Sequence, residues 1–138
     1  MPRGAVLRDP PQHWGFRMKE ISFSWTTTAF LAGVKTVTRR EWNDSYAKTF
    51  KKGEIVAAYD KQRRFGGHKI GLIKLTQAPY KENITDMPKE DWVAEGFALM
   101  VAENKLMNGR TPWSFYKRWI GEGKDLWVVR FKVMEILG

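Results

Sequence analysis

The sequence predicts an α+β fold, a small mixed β-barrel with short helices packed around it. Five or so stretches read as strands, and short helix signals fall between them. No internal repeat and no boundary marker appears after Met18, so the 138 residues fit one domain. With 43% hydrophobic and 14% aromatic residues there is ample material for one core, and the chain does not read as disordered.

The elements follow in order. Residues 1–17 are rich in proline and arginine and lack periodicity, which is the pattern of a flexible N-terminal tail before a domain spanning 18–138. Ile21 and Phe23 alternate with polar neighbours, as in a strand. Thr26 to Ala32 makes one or two helical turns, and Gly33 stops them because glycine takes a left-handed backbone without a Cβ penalty. Thr36-Val37-Thr38 is β-branched throughout and favours a strand. Lys35 therefore sits at a sharp helix-to-strand corner, followed at once by Arg39, Arg40 and Trp42. Such a corner either aims its side chains at a ligand from a rigid base or is a strand with solvated charges.

Glu41 to Lys52 is polar and holds a short helix, and Glu54 to Tyr59 is the next strand. Lys61 to His68 is a basic loop with two glycines. It either contacts phosphate through Arg63 and Arg64 or is an ordinary hairpin loop. Lys69 to Thr76 has the mixture of alternating and continuous apolar residues that suits a barrel wall, and Pro79 ends it. Thr85 to Asp91 reads as a helix start, with the helix carrying Trp92 and Val93 and stopping near Gly96. Glu95 then lies in the last turn, where the helix dipole disfavours a carboxylate. This is a mild functional hint, or a solvated glutamate tolerated for a few tenths of a kcal/mol. Ala98 to Leu106 is helical, and Thr111-Pro112 opens another helix by its cap and proline. On that helix the stripe Trp113, Tyr116 and Ile120, with Phe115 and Trp119 beside it, is the pattern of core packing. Asp125 to Ile136 is the last long strand.

Lys and Arg number 24 against 15 Asp and Glu, a formal charge of +9. In a small domain this points to a polyanionic partner, and the aromatics interleaved with the basic residues favour unpaired nucleic acid. There is no cysteine, which excludes disulfides, cysteine nucleophiles and thiolate metal sites. The two histidines, His13 and His68, lie far apart in sequence, so neither a two-histidine metal site nor a cofactor is expected. No apolar run is long enough to span a bilayer, and the N-terminus lacks a signal-peptide core, so the expectation is a cytoplasmic protein without a membrane partner.

Three motifs carry a resemblance. Leu31-Ala32-Gly33-Val34-Lys35-Thr36-Val37-Thr38-Arg39-Arg40 with Trp42 resembles the signature of the ASCH family, part of the PUA-like group of small barrels. Asp91 to Phe97 resembles the family's helix ending in an acidic residue before Gly-Phe. Trp113, Phe115, Tyr116 and Trp119, then Leu126 to Phe131, resemble its closing helix and last strand. Together these run from about Ile21 to Ile136. The resemblance implies a PUA-like barrel with a cleft between barrel and helices. One branch of the family hydrolyses the amide of an acetylated cytidine nucleoside with a lysine, a threonine and a glutamate. By motif these fall on Lys35, Thr38 and Glu95, with the matching arginine at Arg40. This chain departs from that compact branch by extra residues around Asn104 to Lys124.

The leading expectation is RNA or nucleoside binding in a basic cleft. Lys35, Arg39, Arg40, Trp42, Arg63 and Arg64 would contact the nucleic acid, Thr38 a base edge, and Glu95 an amino group. The alternatives are amidohydrolysis of a modified nucleoside by Lys35, Thr38 and Glu95, a ribonuclease, or a purely structural role. The enzymatic reading meets one obstacle, since Lys35 and Thr38 would face apart on a straight strand.

Overall fold

The computed structural model describes residues 18–137, and the tail expected over 1–17 lies outside them. The strands are β1 (Glu20–Ser22), β2 (Val37–Arg40), β3 (Ile55–Tyr59), β4 (Lys69–Leu75), β5 (Tyr80–Asn83) and β6 (Asp125–Ile136). The helices are α1 (Thr27–Leu31), α2 (Asp44–Ala47), α3 (Asp91–Ala94), α4 (Phe97–Ala102) and α5 (Pro112–Gly121). The six strands form one curled sheet, a half-barrel, in the order β1-β3-β4-β6-β2, with β5 also paired to β6. The fold is thus mixed α+β with a few short helices, as expected.

β6 organises the sheet. It is twelve residues long, and β2 pairs with Trp127 to Arg130 while β5 and β4 pair with its two halves. Flanked on both edges, it is buried from Leu126 to Val129. Among the described strands only β1 and β3 run parallel. Phe23 just past β1, Phe30 of α1, Val56, Ile73 and Phe131 fill the hollow of the sheet, with Phe23 and Phe30 stacked at 5.1 Å. A second cluster of Phe97, Met100 and Met107 packs under α5 with Trp92, Phe115, Tyr116 and Trp119.

Three details differ from the sequence reading. β5 was not expected. The helix expected to start at Thr85 is instead a 3-10 turn over Ile84–Asp86 and the four-residue α3. Met87 is held extended by Pro88, whose ring excludes a helical residue before it, so the helix begins only after the proline. On α5, Thr111 caps the first turn by accepting from the Ser114 N–H as expected, but Trp113 is exposed rather than in the core.

Candidate functional site

The corner after α1 sets the site. Gly33 takes φ 78°, and the chain folds back so that the Val34 and Lys35 N–H groups both reach the Ala29 carbonyl. The Thr36 N–H donates to the Ala94 carbonyl of α3, and β2 begins only at Val37. Lys35 is therefore off the strand, and the obstacle of opposite faces does not arise. Lys35, Thr38 and Glu95 line one cavity of about 260 Å3, between the two hydrophobic clusters. Phe23 and Phe97 contribute apolar wall, and Trp25, Phe115 and Trp119 contribute aromatic wall.

Glu95 is the C-cap of α3. The Lys35 Nζ donates to the Glu95 carbonyl at 2.7 Å and to Glu95 Oε1 at 3.1 Å. Arg39 Nη1 donates to Glu95 Oε2 at 2.7 Å, while Arg39 Nη2 reaches Asp91 Oδ2 at 2.5 Å and Glu82 Oε1 at 3.0 Å. Arg130 grips Asp91 with both terminal nitrogens, at 3.0 and 2.8 Å, and its Nε donates to the Tyr80 hydroxyl. The Arg39 Nε is buried without a partner among the described residues. Lys35 is 1% exposed, so this network is largely out of water.

Burial pushes the Lys35 ammonium below its ordinary value. Glu95 opposes that push, and Arg40 and Arg39 add to it. Arg39 is pulled down by burial, but Glu95, Asp91 and Glu82 outweigh this and raise it. Arg40 differs from its neighbour. It donates from Nε to Thr38 Oγ1 at 3.2 Å and from Nη2 to the Ser22 carbonyl at 2.5 Å, and it forms no ion pair with the described residues. Burial brings it down to about 10.

Arg40 and Ser22 also line a second, outer compartment of about 450 Å3. Its walls are Trp42 and Tyr46, edge to face at 5.2 Å, with Tyr59, Gln62, Arg63 and Arg64. Trp42 is backed by Phe50, stacked at 4.5 Å. Arg63 lies over Tyr59 and pairs with Glu20, whereas Arg64 forms no ion pair with the described residues. His68 is exposed near Asp60 and lines neither compartment.

No protein-family model matches the chain, and neither does any curated protein. Among solved structures it is similar to protein EF3133 from Enterococcus faecalis, a DUF984 protein. The similarity is 14% identity over 88% of this chain and 84% of that one, with a TM-score of 0.55. At that identity the likeness concerns the fold alone.

The structure brings Lys35, Thr38, Arg39, Arg40 and Glu95 to the inner cavity, and Arg40, Trp42, Arg63 and Arg64 to the outer one. Lys35 and Arg39 are turned inward onto carboxylates, not outward as free surface charges. The sequence reading missed Asp91, Glu82, Arg130 and Tyr80. One signal was present. Asp91 and Glu95 are like charges four apart on a helical segment, an unfavourable pair unless a cation sits between them, and Arg39 does. Among the described residues no helix is long and apolar enough to cross a membrane, and no group of three or more His, Cys, Asp and Glu could hold a metal ion.

Proposed function

We propose that this chain is an ASCH-type protein of the PUA-like group whose inner cavity receives the base of an acylated cytidine and hydrolyses its amide. The observation that carries this is Lys35. It is a lysine almost wholly removed from water, depressed toward the neutral amine by burial, bonded to Glu95 and sharing a cavity with a threonine hydroxyl. A lysine that serves only to hold a phosphate works best as an exposed ammonium, whereas a general base needs a lowered pKa. The cavity is slightly smaller than the ~300–1,000 Å3 typical of ligand sites, a scale suited to a base rather than a whole nucleotide.

In this reading the neutral Lys35 amine takes the proton of Thr38 Oγ as that oxygen attacks the acyl carbon. Arg40 already donates to Thr38 Oγ1, which leaves the hydroxyl proton free to move to Lys35. As the tetrahedral intermediate collapses, the carbon–nitrogen bond breaks and Lys35 returns the proton to the departing base nitrogen. Water, deprotonated by Lys35, then attacks the threonine ester; as the carbon–oxygen bond to Thr38 breaks, Lys35 gives that proton to the Thr38 oxygen, which releases the carboxylic acid and restores both residues. Glu95 holds the lysine in place through its carbonyl and carboxylate.

The outer compartment favours a second reading, RNA binding without chemistry, because its three arginines and three aromatics need no reaction to explain them. A ribonuclease has less support, since among the described residues no histidine lines either compartment. The deciding experiment incubates the protein with N4-acetylcytidine, following cytidine by chromatography, beside Lys35→Met. Cytidine formed by the wild type alone supports hydrolysis. Binding without product by both supports the second reading.

A further inference from the structure

We infer that the outer compartment is a nucleotide subsite, taking the phosphate and the neighbouring base of a single-stranded RNA whose modified cytosine occupies the inner cavity. This rests on the reading of the inner cavity as a base site. The two compartments adjoin at Arg40 and Ser22, which line both. The outer one is the larger, about 450 against 260 Å3.

Its chemistry matches a phosphate flanked by a base. Among the described residues, three arginines face a single carboxylate, Glu20, which is already paired with Arg63. That leaves Arg40 and Arg64 without a carboxylate among the described residues. Arg40 uses Nε and Nη2 within the protein, and its Nη1 donates to none of the described residues. A guanidinium with a free terminal nitrogen can donate to an anion, and phosphate accepts charge-assisted hydrogen bonds of this kind. Trp42 and Tyr46 stand beside the arginines. Trp42 is stacked on Phe50, and Tyr46 is partly exposed. Aromatic rings beside cations are the usual platform for unpaired bases, and stacking accepts any base. A free nucleoside would leave all of this unused.

The test compares four ligands: N4-acetylcytidine, its 5′-monophosphate, its 3′-monophosphate, and a short single-stranded RNA carrying the modified base. Each is measured for kcat/KM and, through tryptophan fluorescence, for binding, with wild type, Arg64→Ala and Trp42→Ala. The expected result is that at least one phosphorylated form is preferred over the nucleoside by about tenfold, the scale of one charge-assisted contact. The RNA should be preferred further. Arg64→Ala should shrink the phosphate preference, Trp42→Ala the added preference for RNA, and raised salt should shrink both. Equal handling of nucleoside, monophosphates and RNA by the wild type overturns the inference, as does a preference that both variants retain. If no form is turned over but the monophosphates still bind more tightly in an Arg64-dependent way, the subsite stands and the hydrolytic reading falls.

Discussion

Asp91→Asn tests whether the buried ion network holds α3 against the sheet. The Asp91 side chain accepts one hydrogen bond from Arg39 and two from Arg130. Asparagine keeps the volume but loses the charge, and its amide nitrogen would face an arginine. Breaking a buried pair by removing one partner costs about 3–5 kcal/mol, because the remaining charge is stranded. Here the low end applies. Arg39, with a side chain 1% exposed, keeps Glu82 and Glu95, and Arg130, at 27%, still reaches water. The expected loss is about 3 kcal/mol. For a chain of this size that is a fall in Tm of about 10 °C. Thermal and urea unfolding give the two numbers. Arg130→Met, which removes the more exposed partner, should cost clearly less. The pH dependence has a definite sign. Burial pushes the Asp91 carboxyl up, but the bonds from Arg130 and Arg39 outweigh this and hold it below 3.8. Its contribution is therefore complete above the unfolded value and is lost as pH falls through the folded one, a loss the variant should lack. A change within about 0.5 kcal/mol, the range of an ordinary surface substitution, would refute the argument, and so would Arg130→Met proving the more damaging change.

Two further outcomes follow from the same geometry. Lys35→Met should leave stability near or above the wild-type level, since Glu95 keeps Arg39 and a buried ammonium no longer has to be desolvated. With its folded pKa below 10.5, Lys35 makes wild-type stability rise with pH through the window between the two values, by at most about 1.4 kcal/mol per pH unit. Denaturant titrations across that window should show the rise missing from the variant. Gly96→Ala should cost about 3 kcal/mol in urea unfolding. Gly96 takes φ 105°, and an added Cβ would stand 2.6 Å from the Ala29 Cβ of α1. Unchanged midpoints would show that α1 and the Glu95 corner can separate freely.

What the sequence disclosed depended on whether the signal was local. Gly33, Thr111-Pro112 and the alternation of Asp125 to Ile136 are local, and the elements they mark lie where expected. β5 was invisible because Tyr80-Lys81-Glu82-Asn83 is short and polar. It is a strand only because β6 offers it a partner. The parallel pairing of β1 with β3 is likewise set by partners 37 residues apart. Lys35, Thr38 and Glu95 were named by resemblance, but periodicity alone argued against their meeting. The meeting depends on where β2 starts, two residues after Lys35, and no propensity scale fixes a boundary to that precision.

The alternation of β2 explains why two adjacent arginines differ so much. Successive residues face opposite sides of a strand. Arg39 falls on the side of Glu95, Asp91 and Glu82, while Thr38 and Arg40 share the other, joined by the bond from Arg40 Nε to Thr38 Oγ1. Among the described residues, the cations Lys35, Arg39 and Arg130 then meet the anions Glu95, Asp91 and Glu82 within one network. Of the cations lining the inner cavity, Arg40 is the one left without a carboxylate among the described residues, and it lies beside the threonine where the two cavities adjoin. A fixed, partly dehydrated positive charge stabilises an anion far more than the same charge in water. Under the hydrolytic proposal, the negative charge that develops on the acyl oxygen therefore has its natural partner in Arg40 rather than in Lys35, whose task is the proton. Arg40→Lys would keep the charge and lose the fork. It should depress turnover far more than it weakens binding of the nucleoside, whereas equal losses in kcat and affinity would assign Arg40 to ground-state binding alone.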